Sequence, residues 1–86
     1  MTHKNRTRVA VNGYGVIGKR IADAVRLQPD MELVGVADVV ADYRVQTAAL
    51  QGIPVYASTP EAAKAMRAAG IPVVGELGAL LERVDV

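Results

Sequence analysis

Short apolar runs alternate along this chain with stretches in which apolar residues return every three or four positions. The first run, residues 8–12, reads Arg-Val-Ala-Val-Asn and predicts a buried strand. Residues 16–28 then take a helical period. Ile17, Ile21, Ala24, Val25 and Gln28 line up at spacings of three and four, so they are expected to form the inner face. Lys19, Arg20, Asp23 and Arg26 fall elsewhere, and Pro29-Asp30 closes the helix. Residues 32–38 are nearly unbroken in apolar residues, as in a parallel strand covered on both faces. Strand, helix and strand within about 30 residues make a βαβ unit, whose crossover should be right-handed.

The second half repeats the alternation. Residues 43–51 predict a helix closed by Gly52, and residues 53–57 a third strand. Pro54 removes one ladder donor and suits an edge strand or a first position. Ser58 and Glu61 have capping-box spacing, and Pro60 fits the first turn of the helix that follows, which stops at Gly70. Residues 71–74 predict a short strand, and residues 76–83 a short helix with Leu77, Leu80, Leu81 and Val84 apolar. Gly-Ile-Pro-Val occurs at residues 52–55 and again at 70–73; each copy reads as a glycine helix stop followed by a new extended segment. Residues 84–86 look like the opening of another strand, which in a sheet of order 3-2-1-4 would pair with the first. The expected fold is α/β: the N-terminal half of a Rossmann-like, doubly wound parallel sheet, cut at the start of its fourth main strand. A strand so deprived of a neighbour would leave an edge open to self-association.

Composition narrows the functions. The 86 residues make one small domain, 1–86, whose core must come from Val, Ile, Leu and Ala, since Phe and Trp are absent. A net charge of +1 gives no electrostatic case for nucleic acid or an anionic membrane. The basic cluster at residues 3–8 precedes the first strand and reads as a solvated arm, and His3, the only histidine, has no assigned role. Without cysteine there is no disulfide, no zinc–thiolate site and no thiolate nucleophile. No apolar run approaches the roughly 18 residues of a membrane span, and a cytoplasmic protein is expected.

Between the first strand and the first helix stands Gly13-Tyr14-Gly15-Val16-Ile17-Gly18, a Gly-x-Gly-x-x-Gly motif in the order strand, turn, helix. That context suits a dinucleotide pyrophosphate. Gly13 permits the tight turn, Gly15 lets the backbone approach the phosphates, and Gly18 lets the helix pack closely. Free N–H groups around Val16 and Ile17 would donate to phosphate oxygens. Asp38 ends the second strand twenty residues after Gly18, where an acid accepts ribose hydroxyls. A carboxylate repels a 2′-phosphate, so NAD is expected over NADP. Arg44 is the nearest downstream cation to soften this, but it reads rather as a solvated helix side chain. Lys19 and Arg20 read mainly as solvated side chains, and Tyr14 either flanks a cofactor or shields the turn.

The string Asn-Gly-Tyr-Gly-Val-Ile-Gly-Lys-Arg at residues 12–20 resembles the opening of glyceraldehyde-3-phosphate dehydrogenase, most closely its archaeal-type branch. The resemblance continues through residues 28–37, 52–56 and 69–73. It implies a cytoplasmic, usually tetrameric oxidoreductase of glycolysis and gluconeogenesis that oxidises and phosphorylates glyceraldehyde 3-phosphate through a catalytic cysteine with NAD or NADP. It also implies pyrophosphate contacts from the backbone of Tyr14, Gly15, Val16 and Ile17, and a ribose contact at Asp38. Many archaeal-type members look to have lysine where this chain has Asp38, which puts NADP use in doubt here. The family's catalytic cysteine and substrate-phosphate residues lie downstream of Val86, so this chain alone is expected to bind nucleotide without catalysis. Two alternatives remain: a minimal Rossmann-like structural unit that binds nothing measurable, or the half-domain of another dehydrogenase, such as a semialdehyde dehydrogenase or dihydrodipicolinate reductase.

Overall fold

A computed structural model describes residues 6–86. Four strands alternate with four helices: β1 (Thr7–Asn12), α1 (Val16–Arg26), β2 (Met31–Asp38), α2 (Tyr43–Leu50), β3 (Val55–Ala57), α3 (Pro60–Ala68), β4 (Val73–Glu76) and α4 (Leu77–Leu81). All pairings are parallel and the sheet order is β1-β2-β3-β4. His3, Lys4 and Asn5 of the basic cluster lie outside the described residues. Its described cations are tied down rather than free. Arg6 donates twice to the carbonyl of Met31, and Arg8 pairs with Asp85.

Strand order and crossover hand together set the layers. From β1 to β4 the chain steps across the sheet in one direction, and right-handed crossovers then put α1, α2 and α3 on one face. The main core agrees, with Ala22 of α1, Val45 and Ala48 of α2, and Ala62 and Met66 of α3 packed on Val11, Val36 and Val55. After β4 the direction reverses. α4 therefore crosses the opposite face, where Leu80 and Leu77 pack with Val34, Ala37 and Tyr56. The chain arrives beside β1, where Val86 donates to the carbonyl of Arg8 and accepts from the N–H of Ala10. This is the start of a parallel ladder on the free side of β1, where residues 84–86 are expected to open the next main strand, while β4 is an added strand beyond β3; the arrangement is that of a Rossmann-like half sheet.

Local chemistry explains most element boundaries. Gly52 and Gly70 both take φ +81°, with paired backbone bonds from each glycine and the following Ile back into the last helical turn. These are two Schellman stops, and both Ile53 and Ile71 are buried just after them. β3 starts at Val55, immediately after Pro54. Three expectations change. The cap of α3 is Thr59, whose hydroxyl accepts from the N–H of Ala62, while Ser58 bonds elsewhere. The inner face of α1 is Ala22 and Val25, with Ile17 74% and Ile21 51% exposed. Val25 lies inside as expected, but the rest of the buried face sits one position along from the expected one, because Gly18, not a bulky residue, faces the strand. The last strand and helix are shifted, with Glu76 ending β4 rather than opening α4. A bulge in β2 also disturbs its alternation: Val9 pairs with Leu33 but Ala10 with Gly35.

Candidate functional site

Parallel pairing gathers the C-terminal ends of all strands at one edge, and the glycine loop lies there between β1 and α1. Gly13 turns the chain with φ +102°, a conformation that favours glycine, and its N–H donates to the carbonyl of Ala37 at 2.7 Å. Gly18 sits so close beneath the turn that a Cβ would overlap the carbonyl oxygen of Gly13. Gly15 is different. It is the N-cap of α1 at φ −81°, which any residue adopts, and a Cβ there would meet nothing within 4 Å. The protein's own backbone and packing place no demand for glycine at this position.

The start of α1 is left open. Its cap carries no side-chain hydrogen bond and its first turn no acid. Among the described residues no acceptor meets the N–H groups of Val16 or Ile17. In contrast, α2 is capped by Asp42, which accepts from the N–H groups of Arg44 and Val45, and α3 by Thr59. An uncapped helix start concentrates unsatisfied donors and the positive end of the helix dipole, which suits an anion.

Asp38 ends β2 beside the loop. It is buried rather than an exposed acid at a strand end. One carboxylate oxygen accepts from the N–H of Tyr14 at 2.7 Å, the other from the N–H of Val39 at 2.6 Å. The Tyr14 N–H, expected to face a pyrophosphate, is thus already engaged. The Tyr14 side chain neither flanks the crevice nor lies on the surface; it is fully buried in the main core. Its hydroxyl has no hydrogen-bond partner among the described residues, and burial pushes its pKa up.

Two of the three flanking cations are occupied. Lys19 pairs with Asp23 one turn along α1, at 3.2 Å. Arg44 pairs with Asp42 and lies over the ring of Tyr43, 4.8 Å from its centroid. Arg20 is exposed. A feature with no local sequence signal is the bond from the Ser58 hydroxyl to Asn12 Oδ1 at 3.0 Å. It joins the ends of β3 and β1 across 46 residues, and only the sheet order brings them together. A cavity of about 250 Å³ lined by Arg6, Arg26, Glu32 and Gly52 lies away from the loop, at the opposite edge of the sheet. Among the described residues no group of His, Cys, Asp and Glu could hold a metal ion, and no helix is long and apolar enough to cross a membrane.

No protein-family profile matches the chain. Curated proteins do. Over 81 residues it is 52% identical to the glyceraldehyde-3-phosphate dehydrogenase of Hyperthermus butylicus, a stretch covering 94% of this chain and 23% of that protein. The enzyme of the same name from Thermococcus sibiricus is 48% identical over 81 residues, 94% of this chain and 24% of that protein. The one from Methanothermobacter thermautotrophicus is 46% identical over 78 residues, 91% of this chain and 23% of that protein. The chain spans about a quarter of the length of these relatives.

Proposed function

We propose, on the premise that this chain is a homologue of the archaeal glyceraldehyde-3-phosphate dehydrogenases, that it forms the nucleotide-binding part of such a dehydrogenase. It takes the adenosine-pyrophosphate half of a nicotinamide dinucleotide. The observation that carries this is Gly15: glycine stands where neither φ nor any protein neighbour calls for it, directly over an uncapped helix start. A ligand lying against the backbone supplies the missing reason.

In this reading Gly15, Val16 and Ile17 donate to pyrophosphate oxygens while Gly13 and Gly18 hold the turn. Asp38 receives ribose hydroxyls on the lone pairs its two backbone donors leave free. NAD is preferred over NADP, because a buried carboxylate held from both sides cannot swing away from a 2′-phosphate. Arg44 offers that phosphate little compensation, being committed to Asp42 and Tyr43. When bound, the dinucleotide supplies the hydride acceptor. The chain has no cysteine, so a family-like oxidation and phosphorylation of glyceraldehyde 3-phosphate draws its nucleophile from outside these 86 residues. A cytoplasmic homotetramer is the corresponding proposal for a full-length enzyme.

One observation favours a second reading. The loop already satisfies Tyr14 and Asp38 within itself, as a minimal Rossmann-like unit that binds nothing also would. An amide-resolved NMR titration of the 86-residue chain with NAD, and in parallel with NADP, separates the two. Shifts concentrated at residues 13–18 and Asp38, larger for NAD and lost in Gly15→Ala, are expected. A well-dispersed spectrum indifferent to both ligands would leave only the scaffold.

A further inference from the structure

An acid whose only task is to receive a ribose needs no bond to the phosphate loop, yet Asp38 has one. Three anchors hold the loop in place. The Gly13 N–H bonds the carbonyl of Ala37, the Tyr14 ring is sunk in the core, and the Tyr14 N–H bonds Asp38 Oδ2. Asp38 is itself immobilised. Its Oδ1 accepts from the N–H of Val39, and its backbone carbonyl accepts from the N–H of Ser58 at 2.9 Å. Of the three anchors, only the Asp38 bond depends on a carboxylate. Hydrogen bonds to an ionised acceptor are about twice as strong as neutral ones.

We infer that Asp38 is a positioning residue for the anion site: it pins the glycine loop in its phosphate-ready shape before any nucleotide arrives, separately from any contact with ribose. The ligand part of this inference rests on the nucleotide-binding reading above; the pinning itself does not. Two roles for the acid predict opposite signs for a ligand without ribose. As a bare charge beside the site, Asp38 repels an anion, and its removal strengthens binding. As a pin, its removal loosens the donors and weakens binding.

Inorganic pyrophosphate is therefore the probe, titrated by NMR into the 86-residue chain and into Asp38→Ala and Asp38→Asn, with amide hydrogen exchange read at Tyr14. In the parent chain the Tyr14 amide should exchange at least about tenfold more slowly than those of Val16 and Ile17, which have no acceptor among the described residues. Asp38→Ala should accelerate Tyr14 exchange and weaken the pyrophosphate response about tenfold, while the amides of Val55 and Leu80 report an intact core. Asp38→Asn keeps an oxygen for the Tyr14 N–H but loses the charge and turns its NH2 toward the Val39 N–H, so it should restore protection and response only in part, to between Asp38→Ala and the parent. Parental Tyr14 protection or tighter pyrophosphate binding in Asp38→Ala would overturn the inference. Equal exchange at Tyr14, Val16 and Ile17 in the parent would do so even if that variant failed to fold. A parent chain that responds to neither pyrophosphate nor dinucleotide removes the nucleotide-binding reading, and Tyr14 exchange still decides whether Asp38 is a pin.

Discussion

At the residue scale, the three glycines of the loop separate by what surrounds them. Gly18→Ala forces a Cβ into the Gly13 carbonyl and should cost about 3 kcal/mol, the upper end of ordinary overpacking. Gly15→Ala meets open space and should stay within about 1 kcal/mol of the parent, the difference between glycine and alanine at an N-cap. Urea denaturation of the two variants measures the contrast; equal losses would mean that the Gly18 contact is not tight. Tyr14 gives a second test. Its buried hydroxyl lacks a partner among the described residues, so Tyr14→Phe should leave stability unchanged or raise it by about 1 kcal/mol. The pKa of Tyr14 is raised in the folded state, mainly by burial. The neutral phenol's share of stability is thus fully present below the ordinary tyrosine value of about 10 and is lost as pH rises through the higher folded value. Alkaline unfolding should begin later in Tyr14→Phe, and coincident alkaline limbs would show that Tyr14 is not the group responsible.

At the element scale, helix starts and stops were legible where one residue type does a local job. Pro60, Gly52 and Gly70 act where their chemistry suits them. Caps were less legible, because Ser58 and Thr59 are adjacent hydroxyl residues and tertiary contact chose between them. Ser58 is drawn to Asn12, which leaves Thr59 for the helix. Thr59→Ala should therefore lower stability by about 1 kcal/mol, and Ser58→Ala by clearly less. Thermal melts of both variants check the order, and the reverse order would restore Ser58 as the cap. Apart from Val25, the buried face of α1 is ambiguous in the sequence for a related reason. Ile17, Ile21 and Ala24 make an apolar stripe as regular as the true inner face, but the strands admit the side built on Gly18 and Ala22. Ile21→Gln should accordingly fall within about 0.5 kcal/mol of the parent.

At the scale of the whole molecule, the expected open edge of β1 is partly closed. Residues 84–86 lie along it, and Asp85 accepts from both the N–H and the guanidinium of Arg8. These bonds lower the pKa of Asp85, the backbone bond most. A depressed carboxylate pKa stabilises the folded state above its ordinary value, near pH 4, and that stability is lost as pH falls through the folded value. Asp85→Ala removes the side-chain acceptor from the edge donor of Arg8 and should increase self-association through β1. Sedimentation equilibrium of parent and variant across concentration reads this directly. A variant no more associated than its parent would mean that the edge is protected by other means.

The sequence by itself determined the alternation of strands and helices, the place of the glycine loop between the first two of them, and the register of Asp38 with that loop. These follow from local periodicity, from glycine and proline stereochemistry, and from spacing along one βαβ unit. Tertiary structure decided which side of α1 turns inward, which hydroxyl caps α3, that Tyr14 is buried, and that the Asp38 carboxylate is held by the Tyr14 N–H. Each of these is a choice between locally equivalent options. It is settled by contacts between residues far apart in the chain, whose proximity exists only once the strands have taken their order.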